Sequence, residues 1–117
     1  MLTRPMIVCL CGSTRFKDEF VNANLRETLA GRIVLTIGCD MRTDDEIFGH
    51  LSEKEFQETK AVLDELHKRK IDLADEILVL NVGGYIGIST RSEIDYAEAH
   101  HKRVRYLLPI EANNDEA

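Results

Sequence analysis

The sequence contains no apolar stretch near the ~20 residues that would carry a helix across a bilayer, so no membrane-spanning helix is expected. Its opening segment, Met1-Leu2-Thr3-Arg4-Pro5, runs straight into an apolar stretch. It lacks the ordered regions of a cleaved signal peptide, which points to a cytoplasmic setting. The 15 basic residues are scattered and the net charge is −6, so the chain has no basic stripe. Polymeric nucleic acid is therefore not an expected partner, because its binding needs concentrated positive charge to displace counterions. A single phosphate is not excluded, since one Arg and a few backbone N–H groups suffice for it.

Cysteine is also sparse. Cys9, Cys11 and Cys39 are an odd number, and no CxxC pair is present, which argues against a disulfide framework. Cys9 and Cys11 lie two apart in a strand-like stretch, share a face and read as small buried hydrophobes. Cys39 and His50 lack metal-ligand spacing. The acids Asp40, Asp44, Asp45 and Glu46 read as a solvated loop rather than a Mg²⁺ site. No metal and no cofactor is expected.

What the chain does have is enough apolar material for one core, 44% of 117 residues. Residues 1–110 read as a single domain, and the acidic segment 111–117 as a disordered tail. Four short stretches, Met6–Cys11, Arg32–Ile37, Glu76–Val82 and Arg103–Leu108, read as strands, and the unbroken apolar runs of the first and third read as strands buried within the sheet. Helices are expected between them. The first spans Phe16–Leu29, with Phe20, Val21, Leu25 and Leu29 facing inward and Gly31 as its stop. The second reaches about Ile71 from a capping box at Ser52–Glu55, with Phe56, Val62, Leu63 and Leu66 inward. The third opens at a second capping box, Thr90–Glu93, and runs to about His101. Alternating strands and helices give an α/β fold: a single-domain, doubly wound (Rossmann- or flavodoxin-like) parallel sheet of about four strands with helices on both faces. Ligands of such sheets bind beyond the carboxyl ends of the strands, near the switch point.

Two loops at that end carry the candidate chemistry. Gly12, Ser13, Thr14 and Arg15 join the first strand to a helix N-terminus, where N–H groups and the helix dipole attract anions. Arg15 and Lys17 at that positive end fit an anion placed between them, although Ser13 or Thr14 could simply be an N-cap. Gly83, Gly84 and Tyr85 begin the second loop, in which glycines allow close approach of a ligand. Ser89 and Thr90 crowd the next helix start. Glu93 has two readings, a reciprocal capping partner of Thr90 or a carboxylate aimed at a sugar, and spacing alone favours capping.

The stretches Cys11-Gly12-Ser13-Thr14-Arg15, Leu73-Ala74-Asp75-Glu76-Ile77-Leu78-Val79-Leu80 and Ser92-Glu93-Ile94-Asp95-Tyr96-Ala97 resemble the nucleoside 2-deoxyribosyltransferase superfamily, which includes nucleoside 5′-monophosphate N-glycosidases. Gly83-Gly84-Tyr85 with Thr90 and Glu93 is similar to the Gly-rich loop of the Lonely Guy phosphoribohydrolases, with two or three extra residues before the Glu. The first resemblance covers residues 6–108. It implies a nucleoside or nucleotide ligand, no cofactor, and a homodimer or higher homo-oligomer. By it, Glu93 is the nucleophile or the stabiliser of an oxocarbenium-like sugar, and Gly12, Ser13, Arg15 and Ser89 bind the sugar or its phosphate. His67 stands eight residues before Asp75, where the family pattern has Asp. It could act as acid or base, or mark lost activity, with Asp64 or Asp72 as substitutes.

These readings imply cleavage of the base–sugar bond, in which a carboxylate offsets the positive charge growing on the anomeric carbon. The alternatives are a catalytically inactive nucleotide-binding sensor of the same fold and a plain interaction module.

Overall fold

A computed structural model of the protein describes residues 4–37 and 44–110. Four strands form one all-parallel sheet: β1 (Ile7–Cys11), β2 (Ile33–Leu35), β3 (Glu76–Val79) and β4 (Arg103–Tyr106). Their order is β2-β1-β3-β4, with Val8 paired to Val34 and Glu76, and Ile77 to Val104. The helices are α1 (Lys17–Leu29), the short α2 (Asp44–Phe48), α3 (Glu53–Leu73) and α4 (Ile88–Ala99).

Strand periodicity divides the core into two layers. Val8, Leu10, Leu78 and Leu80 pack with Phe20 and Ala23 of α1 on one face. Cys9, Cys11, Ile77 and Val79 pack with Ile71 of α3 and with Ile94 and Ala97 of α4 on the other. Helices thus cover both faces, as the unbroken apolar strands require. The chain leaves β1 toward β2 on one side and reaches β3 on the other, so the switch point lies between β1 and β3. Loops following those two strands bound a crevice there.

Helix ends explain part of the fold. Gly31, at φ +87°, terminates α1, where its N–H donates to the Thr28 carbonyl and that of Arg32 to the Glu27 carbonyl. This is a Schellman closure. His101 at φ +62° closes α4 in the same way, with N–H groups of His101 and Lys102 donating to Glu98 and Ala97. Ser52 and Glu55 form the expected reciprocal capping box at the start of α3.

Several expectations are corrected. On α1, Val21, Leu25 and Leu29 are exposed, and the inward face is Phe20, Ala23 and Glu27. Small Ala23 lets the helix approach the sheet, and Glu27 is tolerated inside because Arg105 Nη2 lies 2.6 Å and Arg32 Nη1 3.2 Å from its Oε1. On α3, Val62, Leu63 and Leu66 are likewise exposed, Phe56 is half-buried, and His67 and Ile71 are buried. The cause is length: α3 has 21 residues and is about 31 Å long, whereas a four-residue strand covers about 13 Å. Its N-terminal half overhangs the sheet.

The strands are shorter than their apolar runs, and after β3 a 3₁₀ turn spans Val82–Gly84. The start of α4 is earlier than expected. Gly87 is its N-cap and Arg91 N–H already donates to the Gly87 carbonyl at 2.9 Å, so Thr90 and Glu93 lie inside the helix and form no capping box. Neither Ser13 nor Thr14 caps α1, whose N-cap is Phe16, without a side-chain cap. Cys39, Asp40 and the tail 111–117 lie outside the described residues.

Candidate functional site

A cleft of about 580 Å³ opens beyond the carboxyl ends of β1 and β3, a size ordinary for a small-molecule site. Gly12, Ser13 and Thr14 supply one side. Ile37, Phe48 of α2 and one face of α3, from Phe56 to Lys70, supply another, and Tyr85, Gly87, Ile88, Ser89, Thr90 and Glu93 close it. The structure therefore gathers most of the residues singled out in the two loops, together with His67 of α3.

The first loop is held tightly. A Cβ on Gly12 would lie 3.2 Å from Leu80 Cβ and 3.3 Å from its carbonyl oxygen, so any larger residue would push the two strand exits apart by a few tenths of an ångström. Ser13 turns the chain, its Oγ accepting from Arg15 N–H at 3.3 Å and its carbonyl from Phe16 N–H at 3.1 Å. Lys17 Nζ donates to the Thr14 carbonyl at 3.2 Å and lines the cleft. Arg15 does not line it: the guanidinium lies 4.2 Å from the centre of the Tyr85 ring, a cation–π stack that ties the two loops together. Gly83 and Gly84 also stand outside the lining. Their φ values of +63° and +84° make the turn that delivers Tyr85.

Helix α4 begins with no side-chain cap at Gly87. Its first turns carry Ser89, whose Oγ accepts from Lys60 Nζ at 3.2 Å, and Thr90, which is buried. Two turns in, Glu93 points to the cleft floor with 13% of its side chain exposed, and its Oε1 lies 3.8 Å from His67 Nε2. Burial, the dominant influence, pushes the Glu93 carboxyl above the usual carboxylate range, and His67 only partly offsets it. Burial disfavours a charged His67, but the hydrogen bond to Cys9 and the charge of Glu93 outweigh it, so the imidazole is raised above its ordinary value.

The same nitrogen meets two sulfurs. Cys9 Sγ lies 3.6 Å and Cys11 Sγ 3.4 Å from His67 Nε2. A hydrogen bond from Cys11 lowers the Cys9 thiol to about 6, against its burial and with the help of His67, while Cys11 is raised. Cys9 and Cys11 do share the buried face expected of them, but they meet a polar group there. Nothing in the spacing signalled this, because His67 is 56 residues from Cys11.

Of the two aspartates near His67, Asp64 lines the cleft and pairs with Lys60 at 3.5 Å. Asp72 does not line it, accepting from Tyr96 Oη at 2.6 Å and pairing with Arg69. Asp75 fixes the strand entrance, taking a two-pronged contact from Arg4 and the N–H of Ile7 at 2.8 Å. Sequence reasoning singled out Lys17 but missed Lys60 and Lys70 as cleft cations and Phe48, Phe56 and Ile88 as its apolar wall. Exposed lysines and apolar residues on a long helix carry no mark that distinguishes a cleft from open surface.

No protein-family model matches the sequence, and no curated protein matches it. Among the described residues no helix is long and apolar enough to cross a membrane.

Proposed function

We propose that the protein cleaves the N-glycosidic bond of a nucleoside or nucleoside 5′-monophosphate, with Glu93 as the carboxylate that meets the anomeric carbon. The observation that carries this reading is the placement of a largely buried carboxylate beside His67 on the floor of a nucleoside-sized cleft at the sheet's switch point. The correction at α4 supports it too, because Glu93 is not occupied as a capping partner.

In the proposed reaction the carbon–nitrogen bond breaks with its electron pair leaving on the base, which takes up a proton. Positive charge on the sugar is offset, or captured as a glycosyl ester, by Glu93, and water then adds to the sugar carbon and gives up a proton. His67 orients Glu93. Lys17, Lys60 and the backbone of Gly12, Ser13 and Thr14 would face a 5′-phosphate, while Tyr85, Phe48 and Phe56 offer apolar surface to a base. The same reading carries a cytoplasmic setting and a homo-oligomer, which would cover the exposed Val21, Leu25 and Leu29 of α1.

A second reading, a nucleotide-binding protein without turnover, is favoured by one observation. His67 is shared among Cys9, Cys11 and Glu93 rather than aimed at Glu93 alone.

Release of free base from a panel of nucleosides and 5′-monophosphates tests the proposal. Wild-type protein is expected to turn over at least one member, and Glu93→Gln to lose about a thousandfold in rate while its circular dichroism is unchanged. Turnover that survives Glu93→Gln would sink the assignment. A monophosphate that raises Tm without base release would establish the second reading.

A further inference from the structure

Beneath the cleft, three soft donor atoms converge. Cys9 Sγ, Cys11 Sγ and His67 Nε2 all lie within 4.8 Å of one another, and the residues bearing them are buried. The sulfur-to-nitrogen separations are 3.6 and 3.4 Å. A tetrahedral ion with bonds of about 2.3 Å to sulfur and about 2.0 Å to nitrogen spaces such ligands about 3.5 Å apart, so the donors already stand near ligand positions. Beyond one another and His67, Cys9 Sγ lies 3.9 Å from the Leu10 carbonyl, and Cys11 Sγ lies 4.0 Å from that of Cys9 and also hydrogen-bonds the Glu93 side chain.

We propose that Cys9, Cys11 and His67 bind a thiophilic divalent cation of the Zn²⁺ class on the cleft floor, with Glu93 facing the fourth position. Three features of the surroundings carry the choice. Thiolate and imidazole donors select Zn²⁺ over hard cations such as Mg²⁺. Two thiolates and a neutral imidazole balance the charge of one Zn²⁺, so with water in the fourth position the assembled site is neutral in an apolar layer formed by Ile71, Val79 and Ile94. Glu93 Oε1, 3.8 Å from His67 Nε2, stands on the cleft side, where an ion would enter and where water or Glu93 would complete the coordination.

A disulfide is the poorer use of the cysteine pair. Residues two apart on a strand have Cα atoms about 6.6 Å apart, at the upper limit of disulfide geometry, so bridging them would bend β1 out of the sheet. Metal binding needs no such movement. Two sulfur–metal bonds and one nitrogen–metal bond form, and the thiol protons leave to solvent through the cleft. The ion takes the nitrogen that otherwise faces Glu93, so occupation of the site and use of His67 beside Glu93 exclude each other.

Titration with Co²⁺ tests the proposal, on full-length Cys39→Ser protein stripped with chelator, so that any thiolate signal comes from Cys9 and Cys11. The expected result is a near-ultraviolet thiolate-to-cobalt charge-transfer band saturating at one ion per chain. Zn²⁺ should abolish the band and raise Tm, and Mg²⁺ should do neither. Cys11→Ala and His67→Gln are each expected to weaken Co²⁺ binding more than about a hundredfold, beyond what the loss of an outer partner causes. No band with an unchanged Tm, or a band that persists in folded Cys11→Ala, overturns the site. Should either variant unfold, the titration of the Cys39→Ser protein decides by itself. Glu93→Gln keeps the three ligands and is expected to keep the band, so failure of the glycosidase reading and failure of the metal site are read separately.

Discussion

At the scale of single residues, the chain places charge inside the fold only where geometry compensates it. Glu27 and Glu76 are nearly inaccessible at the amino end of the sheet, and Arg105 joins them, with Nη2 2.6 Å from Glu27 and 2.7 Å from Glu76. Desolvation works against an ionised Glu27, but the hydrogen bond and charge of Arg105 prevail and hold its carboxyl below the usual range. Removing the guanidinium leaves two buried carboxylates without their shared partner. Arg105→Leu is therefore expected to cost about 3–5 kcal/mol in urea unfolding at neutral pH. The deficit should shrink in acid, where Glu27 can take up a proton; a deficit independent of pH would count against this account. None of this was legible in the sequence, where Glu27 sits among polar neighbours and reads as surface. Its burial follows from the phase of α1, which Phe20 and Ala23 set and which the more conspicuous Val21, Leu25 and Leu29 disguise.

At the scale of elements, what the sequence announces depends on how local the signal is. The strands were legible because a run such as Ile-Val-Cys-Leu-Cys admits water on neither face, and Gly31 and the Ser52–Glu55 box marked their helix ends because each acts within a few residues. The start of α4 was not. Thr90 and Glu93 have capping-box spacing, yet the same three-residue offset also puts two side chains on one face of a helix already under way. Gly87 supplied the earlier start without a side-chain signature. The opposite end of α4 carries a measurable cost. His101 holds the left-handed position that glycine fills at the end of α1, at φ +62°. His101→Gly should raise stability by about 1 kcal/mol, seen as a higher Tm with an unaltered fold. An unchanged or lower Tm would mean that the imidazole makes compensating contacts.

At the scale of the whole molecule, the two halves of the sheet divide the labour. The amino end is locked by ion pairs, and the carboxyl end is left open as the cleft. Arg4 joins the locked end, placing Nη1 2.7 Å from Asp75 across 71 residues of chain. The Arg4 hydrogen bond, helped by the N–H of Ile7, holds the Asp75 carboxyl well below its ordinary value. A carboxylate depressed in the folded state contributes stability above its unfolded pKa of about 3.9, and that contribution is lost as pH falls through the folded value. Stability should accordingly decline below pH about 4, and Arg4→Ala should flatten that decline while lowering stability at neutral pH. Both partners are partly solvated, so the effect is modest. A pH profile identical in the two proteins would rule the pair out as its source. The position of the cleft was legible at this scale, since the order of strands and helices fixes where a parallel sheet binds. The convergence of Cys9, Cys11, His67 and Glu93 was not, because it depends on the register in which α3 and α4 settle against β1.

The overhang of α3 gives the cleft walls of unequal stiffness. Its last turns are anchored through His67 and Ile71, whereas the turns bearing Phe56, Thr59 and Leu63 reach past the sheet with no side chain fully buried. Glu93 and the Gly12 turn stand on the rigid side. A bound molecule would thus meet a well-packed floor and a wall held mainly by side-chain contacts such as Phe48 against Phe56, and what it gains from that wall is reduced by the entropy of stilling it. Selectivity for the part of a ligand held against that floor would then be strict, and tolerance toward whatever lies against Phe56 and Leu63 comparatively broad.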